Sequence, residues 1–110
     1  MATFINLTPH AVNVVLPNGE ELVIISTGIA RVAETTTQIG ELDGIPLFKS
    51  TYGQVQGLPE PAPNTVYIVS KMVTDALPQR RDLFIPAVTV RDEQGRIIGC
   101  KGLAPNPHCV

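Results

Sequence analysis

Val12-Asn13-Val14-Val15-Leu16-Pro17-Asn18-Gly19-Glu20-Glu21-Leu22-Val23-Ile24-Ile25 is the stretch that decides the fold. Two runs rich in valine, leucine and isoleucine flank a proline, an asparagine and a glycine. Such runs suit a pleated, half-buried surface. Asn-Gly between them is the strongest short-range hairpin signal, because both central residues of a type I′ turn need positive φ. The stretch predicts strands over 12–16 and 21–25, joined by a tight turn on Asn18 and Gly19.

The same punctuation continues outward. Ten prolines and nine glycines divide the 110 residues into short pieces, and short apolar pieces between turn residues read as strands. Upstream, Phe4 to Leu7 is a strand that stops at Thr8-Pro9-His10. Downstream, a strand runs from Ala30 to Thr36 and Asp43-Gly44 makes a turn. Ile45 to Tyr52 is strand-like, with Pro46 suiting an edge. Gly57 to Asn64 has three prolines in eight residues and reads as an extended connector. Thr65 to Ser70 is a buried strand leading into Lys71 to Leu77, where Met72, Val73, Ala76 and Leu77 recur at helical spacing. Ser70 stands where an N-cap belongs, and Pro78 ends the helix. Ala87 to Arg91 and Arg96 to Lys101 form a second hairpin around Asp92-Glu93-Gln94-Gly95, and residues 102–110 read as irregular. The expected fold class is mainly β, in one domain over residues 1–110. It is a compact barrel or sandwich of about eight short strands with one short helix near residues 71–77.

Charge narrows the partners. With 8 basic and 10 acidic residues the net charge is −2, whereas counterion-release binding of a nucleic acid polymer needs a basic face. Phe4, Phe48, Phe84, Tyr52 and Tyr67 are the only aromatic residues, too few for a base-stacking platform. The first residues lack the basic region and apolar run of a signal peptide, and no apolar stretch approaches the ~20 residues of a membrane helix. The expectation is a cytoplasmic chain with no membrane partner, its Cys100 and Cys109 reduced. Charged residues make up 16% of the chain, below the roughly 25% usual for soluble domains. A homo-oligomer that covers apolar surface with a copy of itself follows from that shortage.

Four clusters carry candidate chemistry. In Thr8-Pro9-His10 the imidazole changes charge near neutral pH, although Thr8 and His10 equally suit capping loose backbone at a proline turn. Ser70-Lys71 offers an amine and first-turn amides to an anion, or a plain N-cap beside a solvated lysine. A serine–lysine catalytic pair needs the lysine one helical turn later, so nucleophilic catalysis is rejected. Arg80-Arg81-Asp82 concentrates positive charge, and two guanidinium groups can clamp a phosphate or carboxylate. The bland alternative is a salt bridge to Asp82. Lys49-Ser50-Thr51-Tyr52-Gly53 reads either as a polar pocket lining or as the outer face of an edge strand. His10, His108, Cys100 and Cys109 lack metal-ligand spacing, so no metal is expected. No nucleotide-cofactor motif occurs either, and no cofactor is expected.

Three of these segments also carry a resemblance. Ile5-Asn6-Leu7-Thr8-Pro9-His10, Val66-Tyr67-Ile68-Val69-Ser70 and Arg81-Asp82-Leu83 through Pro86 resemble short proteins of unassigned function associated with bacteriophage and actinobacterial genomes. The resemblance brings no catalytic residues. It implies a setting in which a small phage protein binds and blocks a host component, for example by sequestering a nucleotide-derived immune signal.

The leading expectation is a non-catalytic, homo-oligomeric protein that binds a small anionic, nucleotide-like ligand. Arg80, Arg81 and Lys71 would meet the anion with Ser70, while Thr8, His10 and Tyr52 orient the rest. Lys71 and the arginines lie at opposite ends of their helix, so a shared anion needs a folded-back loop or a neighbouring subunit. The alternatives are a protein-interaction or phage assembly module and a small enzyme using His10.

Overall fold

A computed structural model describes residues 2–109. The chain is mainly β. Its strands are β1 (Thr3–Asn6), β2 (Val12–Val15), β3 (Glu21–Ile24), β4 (Arg31–Leu42), β5 (Ile45–Gln56), β6 (Thr65–Ile68), β7 (Leu83–Arg91) and β8 (Ile97–Pro105). A helix, α1 (Lys71–Ala76), joins β6 to β7. Six strands form one mixed sheet in the order β1-β6-β7-β8-β2-β3, and β4 and β5 form a second sheet alone. Strands β1, β6 and β7 run parallel; β8 is antiparallel to β7 and parallel to β2; β3 returns antiparallel to β2. The large sheet curls until its edges touch at one point. There Asn6 pairs with Ser26, and the Thr27 N–H donates to the Asn6 carbonyl at 3.0 Å.

Strand side chains alternate between faces, so β6 and the residue after it contribute to two cores. Ile68 packs with Val12, Val14 and Cys100, while Tyr67 and Val69 pack with Leu7, Ala30, Val73 and Leu83. Val73 brings α1 onto the second cluster. Ile68, Val69, Val73 and Leu83 are 0% exposed, and burying each contributes about 1.5–3 kcal/mol.

The decisive hairpin forms, but its turn is not type I′. Gly19 has φ +88° while Asn18 stays out of the left-handed region. Pro17 is the reason. Its ring holds φ near about −65° and starts a turn that closes with the Gly19 N–H on the Leu16 carbonyl at 2.9 Å. Gly19 then takes the left-handed bulge position of a three-residue loop. The type I′ geometry appears at Asp43 and Gly44 instead, with φ +49° and +83°, between the paired Leu42 and Ile45.

That turn welds β4 and β5 into a hairpin of two 12-residue strands, well past the expected ends at Thr36 and Tyr52. Only its root packs on the body, through Val32 and Val55. Every residue from Glu34 to Gln54 is exposed. The arm raises the radius of gyration to 17.0 Å, against about 13 Å for a close-packed domain of this length.

Strands β7 and β8 also outrun expectation. Gly102 to Pro105, expected to be irregular, continues β8 because Ala87 through Phe84 supply a ladder opposite it. Helix α1 is shorter than expected and stops at Ala76. Ser70 occupies the N-cap with extended backbone but makes no side-chain cap bond. Of the helical stripe, Val73 is buried, Leu77 is half-buried, and Met72 and Ala76 are exposed. Val88, within β7, has φ +57°, a conformation that costs a β-branched residue on the order of 1–3 kcal/mol. Both cysteines are free. No helix among the described residues is long and apolar enough to cross a membrane.

Candidate ligand-binding cleft

Parallel pairing creates the site. Strands β1 and β6 end in register, Asn6 beside Ile68, so Thr8-Pro9-His10 and Ser70 leave the sheet as neighbours. Strands β7 and β8 have 9 residues each where β6 has 4, and their overhang walls the space in front of those loops. The result is a cleft of about 560 Å³. Val12, Val69, Ile97 and Ile98 give it apolar walls, while Thr8, His10, Asn13, Ser70 and Thr89 contribute polar groups.

Asn6 holds the cleft's first loop. Its side chain is 0% exposed. Nδ2 donates to the carbonyls of His10 at 2.9 Å and Ile24 at 2.8 Å. Oδ1 accepts the Thr8 N–H at 2.9 Å and the Thr8 hydroxyl at 2.6 Å. The one hydroxyl proton of Thr8 is held between Asn6 Oδ1 and the His10 carbonyl, the latter at 2.9 Å, so the hydroxyl can only accept from a ligand. The His10 ring is exposed and makes no hydrogen bond among the described residues, although its carbonyl is pinned. Asn6 was not picked out from sequence. Its signal was a lone polar residue between Ile5 and Leu7, inside a strand. Asn13 and Thr89 had no such signal, because only the sheet order brings them to the cleft.

The cations lie elsewhere. Strand β7 runs parallel to β6, so the residues preceding it sit at the start of β6, opposite Ser70. Arg80 there makes a two-pronged bridge to Asp82, Nε to Oδ1 at 2.9 Å and Nη2 to Oδ2 at 2.7 Å. It also donates to the Pro59 carbonyl at 3.2 Å and lies 5.9 Å from the Tyr67 ring centroid. Arg80 is therefore a brace for the 57–64 connector and not a free anion ligand. Arg81 is exposed beside it, and Lys71 is exposed at the start of α1. Neither lines the cleft. Tyr52 sits on the arm and lines a separate hollow of about 390 Å³ with Val32, Met72 and Asp75. Within one chain, then, Thr8, His10 and Ser70 converge, while Arg80, Arg81 and Tyr52 do not join them.

The Arg80 hydrogen bonds, reinforced by its charge, hold the Asp82 carboxyl below the usual carboxylate range against the opposing effect of burial. A depressed folded-state value means that this stabilisation is complete above the unfolded-state value of ~4. It is lost as pH falls through the lower folded value. Urea midpoints of wild type are expected to fall on acidification below about pH 4, and Asp82→Asn is expected to remove part of that slope. An identical acid slope in the variant would show that other carboxylates cause it.

Among the described residues, no group of three or more histidine, cysteine, aspartate or glutamate side chains is placed to hold a metal. In comparisons with known proteins, no family model, no curated protein and no solved structure matches the chain.

Proposed function

We propose that this chain is a non-catalytic binding protein whose cleft takes a small molecule with a flat apolar body and a polar edge. That class of ligand is nucleotide-derived, its base supplying the flat body. One observation carries the reading: His10, Ser70 and Thr89, from three separate segments, surround an apolar space of about 560 Å³. Small-molecule sites of roughly 300–1,000 Å³ have this composition, a mostly apolar wall with a few orienting polar groups. No lysine or arginine lines the cleft, so an anionic group on the ligand belongs at the mouth, where His10 is exposed and Lys71 follows Ser70. The lining hydroxyls, amide and imidazole can each orient a ligand by hydrogen bonding, and no carboxylate lines the cleft to orient the His10 ring for proton transfer. The setting that accompanies this reading is the host cytoplasm, where a phage protein withholds a nucleotide-derived signal.

The test is thermal shift and calorimetry with adenosine and adenosine 5′-monophosphate, alongside native mass spectrometry of protein taken directly from cells. A ligand at about 100 times its Kd should add roughly 2.7 kcal/mol of stability. Ala11→Trp, which fills the cleft from an exposed position, should abolish that shift, and His10→Ala should weaken binding about tenfold, or 1.4 kcal/mol. Arg81→Ala should change nothing. Binding that survives Ala11→Trp but is lost in Arg81→Ala would move the site to the other end of the sheet. No shift with either probe and no retained small molecule would end the reading.

A further inference from the structure

The β4–β5 arm is the part of the molecule that its own core does not explain. Among the described residues, Ile39, Leu42, Ile45, Leu47, Phe48 and Tyr52 are all exposed large hydrophobics, five of them clustered at the tip. The stalk between tip and root is polar, with Thr35, Thr36 and Thr37 opposite Thr51, Ser50 and Lys49. Paired residues share a face of a ribbon. Leu42, Ile45 and Leu47 therefore occupy one face of the tip, and Pro46 and Phe48 the other. A two-stranded ribbon has no further layer to cover either face, and an isolated hairpin is at best marginally stable in water. The root, by contrast, is anchored by Val32 and Val55 in the core.

We propose that this arm is the interface through which the chain assembles with a second copy of itself. Three observations favour a copy over an unrelated partner. The arm's exposed stretch from Glu34 to Gln54, 21 residues, matches the roughly 20–30 residues per side of a standard stable interface. The body carries its own uncovered apolar residues away from the cleft lining: Leu22 and Val23 on β3, and Ile25 just after it, are 47–67% exposed. An arm reaching from one copy to the body of another covers both surfaces at once, whereas a foreign partner on the arm leaves the body bare. The arm's charges are mixed, Arg31 and Lys49 against Glu34, Glu41 and Asp43, so two copies do not repel strongly. This assembly is independent of what the cleft binds.

The test is light scattering and sedimentation of wild type beside the double variant Ile45→Glu, Phe48→Glu. Wild type is expected at two or more times the single-chain mass at micromolar concentration, and the double variant at the single-chain mass with an unchanged circular dichroism spectrum. Hydrogen exchange on wild type is expected to show arm amides on the free strand edges slowed as concentration rises. A monomeric wild type at high micromolar concentration overturns the proposal. An oligomer whose mass ignores the tip charges, or arm amides that exchange freely at every concentration, also overturns it. Ala11→Trp serves as the control that separates the two readings, since it should retain the oligomer mass while losing any ligand.

Discussion

Asn6→Ala is expected to lower the unfolding free energy by about 4 kcal/mol, a large share of the 5–15 kcal/mol typical of a domain. The change deletes one side chain but strands two partners. The Ile24 carbonyl loses its donor and the Thr8 N–H its acceptor, while the His10 carbonyl keeps the Thr8 hydroxyl at 2.9 Å. Each buried group left unpaired costs about 1–3 kcal/mol, and partial hydration of the exposed side of the loop tempers the sum. Asn6→Asp is nearly isosteric and separates hydrogen bonding from volume. Its second oxygen would face the two carbonyls that Nδ2 now serves, so it should cost as much at pH 7. Urea unfolding of both variants gives the numbers. A midpoint for Asn6→Ala corresponding to less than about 1 kcal/mol would mean that water satisfies the loop and that Asn6 does not hold it. Binding is a second readout, because the same bonds shape one side of the cleft. A folded Asn6 variant should lose ligand affinity at least as severely as His10→Ala.

Gly57→Ala should be nearly as damaging, for a different physical reason. Gly57 has φ +82°, and a Cβ built on it would lie 2.2 Å from the backbone oxygen of Ile29. That oxygen belongs to main chain and cannot swing aside. Left-handed backbone strain of about 1–3 kcal/mol adds to an overpacking penalty of similar size, giving roughly 3 kcal/mol or more. Gly19→Ala is the matched control, since Gly19 has φ +88° with nothing within 4 Å of its Cβ position. It should show the strain alone, about 1 kcal/mol. Equal losses in the two variants would remove the clash from the account. The position has consequences for assembly as well. Gly57 follows the last residue of β5, where the second strand of the arm meets the body, so a shifted root should redirect the arm and weaken self-association.

Much of this chain is governed by local rules that act within a few residues. The strand at Val12–Val15, its partner at Glu21–Ile24, and the helix starting at Lys71 follow from side-chain period and turn residues, which need no distant partner. The departure at the turn, Asn18 keeping a negative φ, is also local. A proline one residue earlier outweighs the usual preference of Asn-Gly.

Three other features were set by partners distant in sequence. The reach of β4 and β5 to Leu42 and Gln56 comes from mutual pairing. Polar threonines opposite one another have no apolar period to read, yet their backbones complete a ladder. The depth of Asn6 comes from Ile24 and His10 arriving beside it. The fate of the cations was settled by strand direction. Ser70 and Arg80 are ten residues apart along the sequence, and nothing in the intervening residues says whether the chain returns to the same end of the sheet. Because β7 lies parallel to β6, helix α1 carries the chain back past the strand it has just left. Ser70 then stands at one end of the sheet with Thr8 and His10, and Arg80 at the other with Asp82. The sequence alone determined that the chain would be β-rich and which short segments carry polar groups worth testing. Tertiary structure alone decided which of them share a cleft, because parallel pairing separates in space what lies close along the chain.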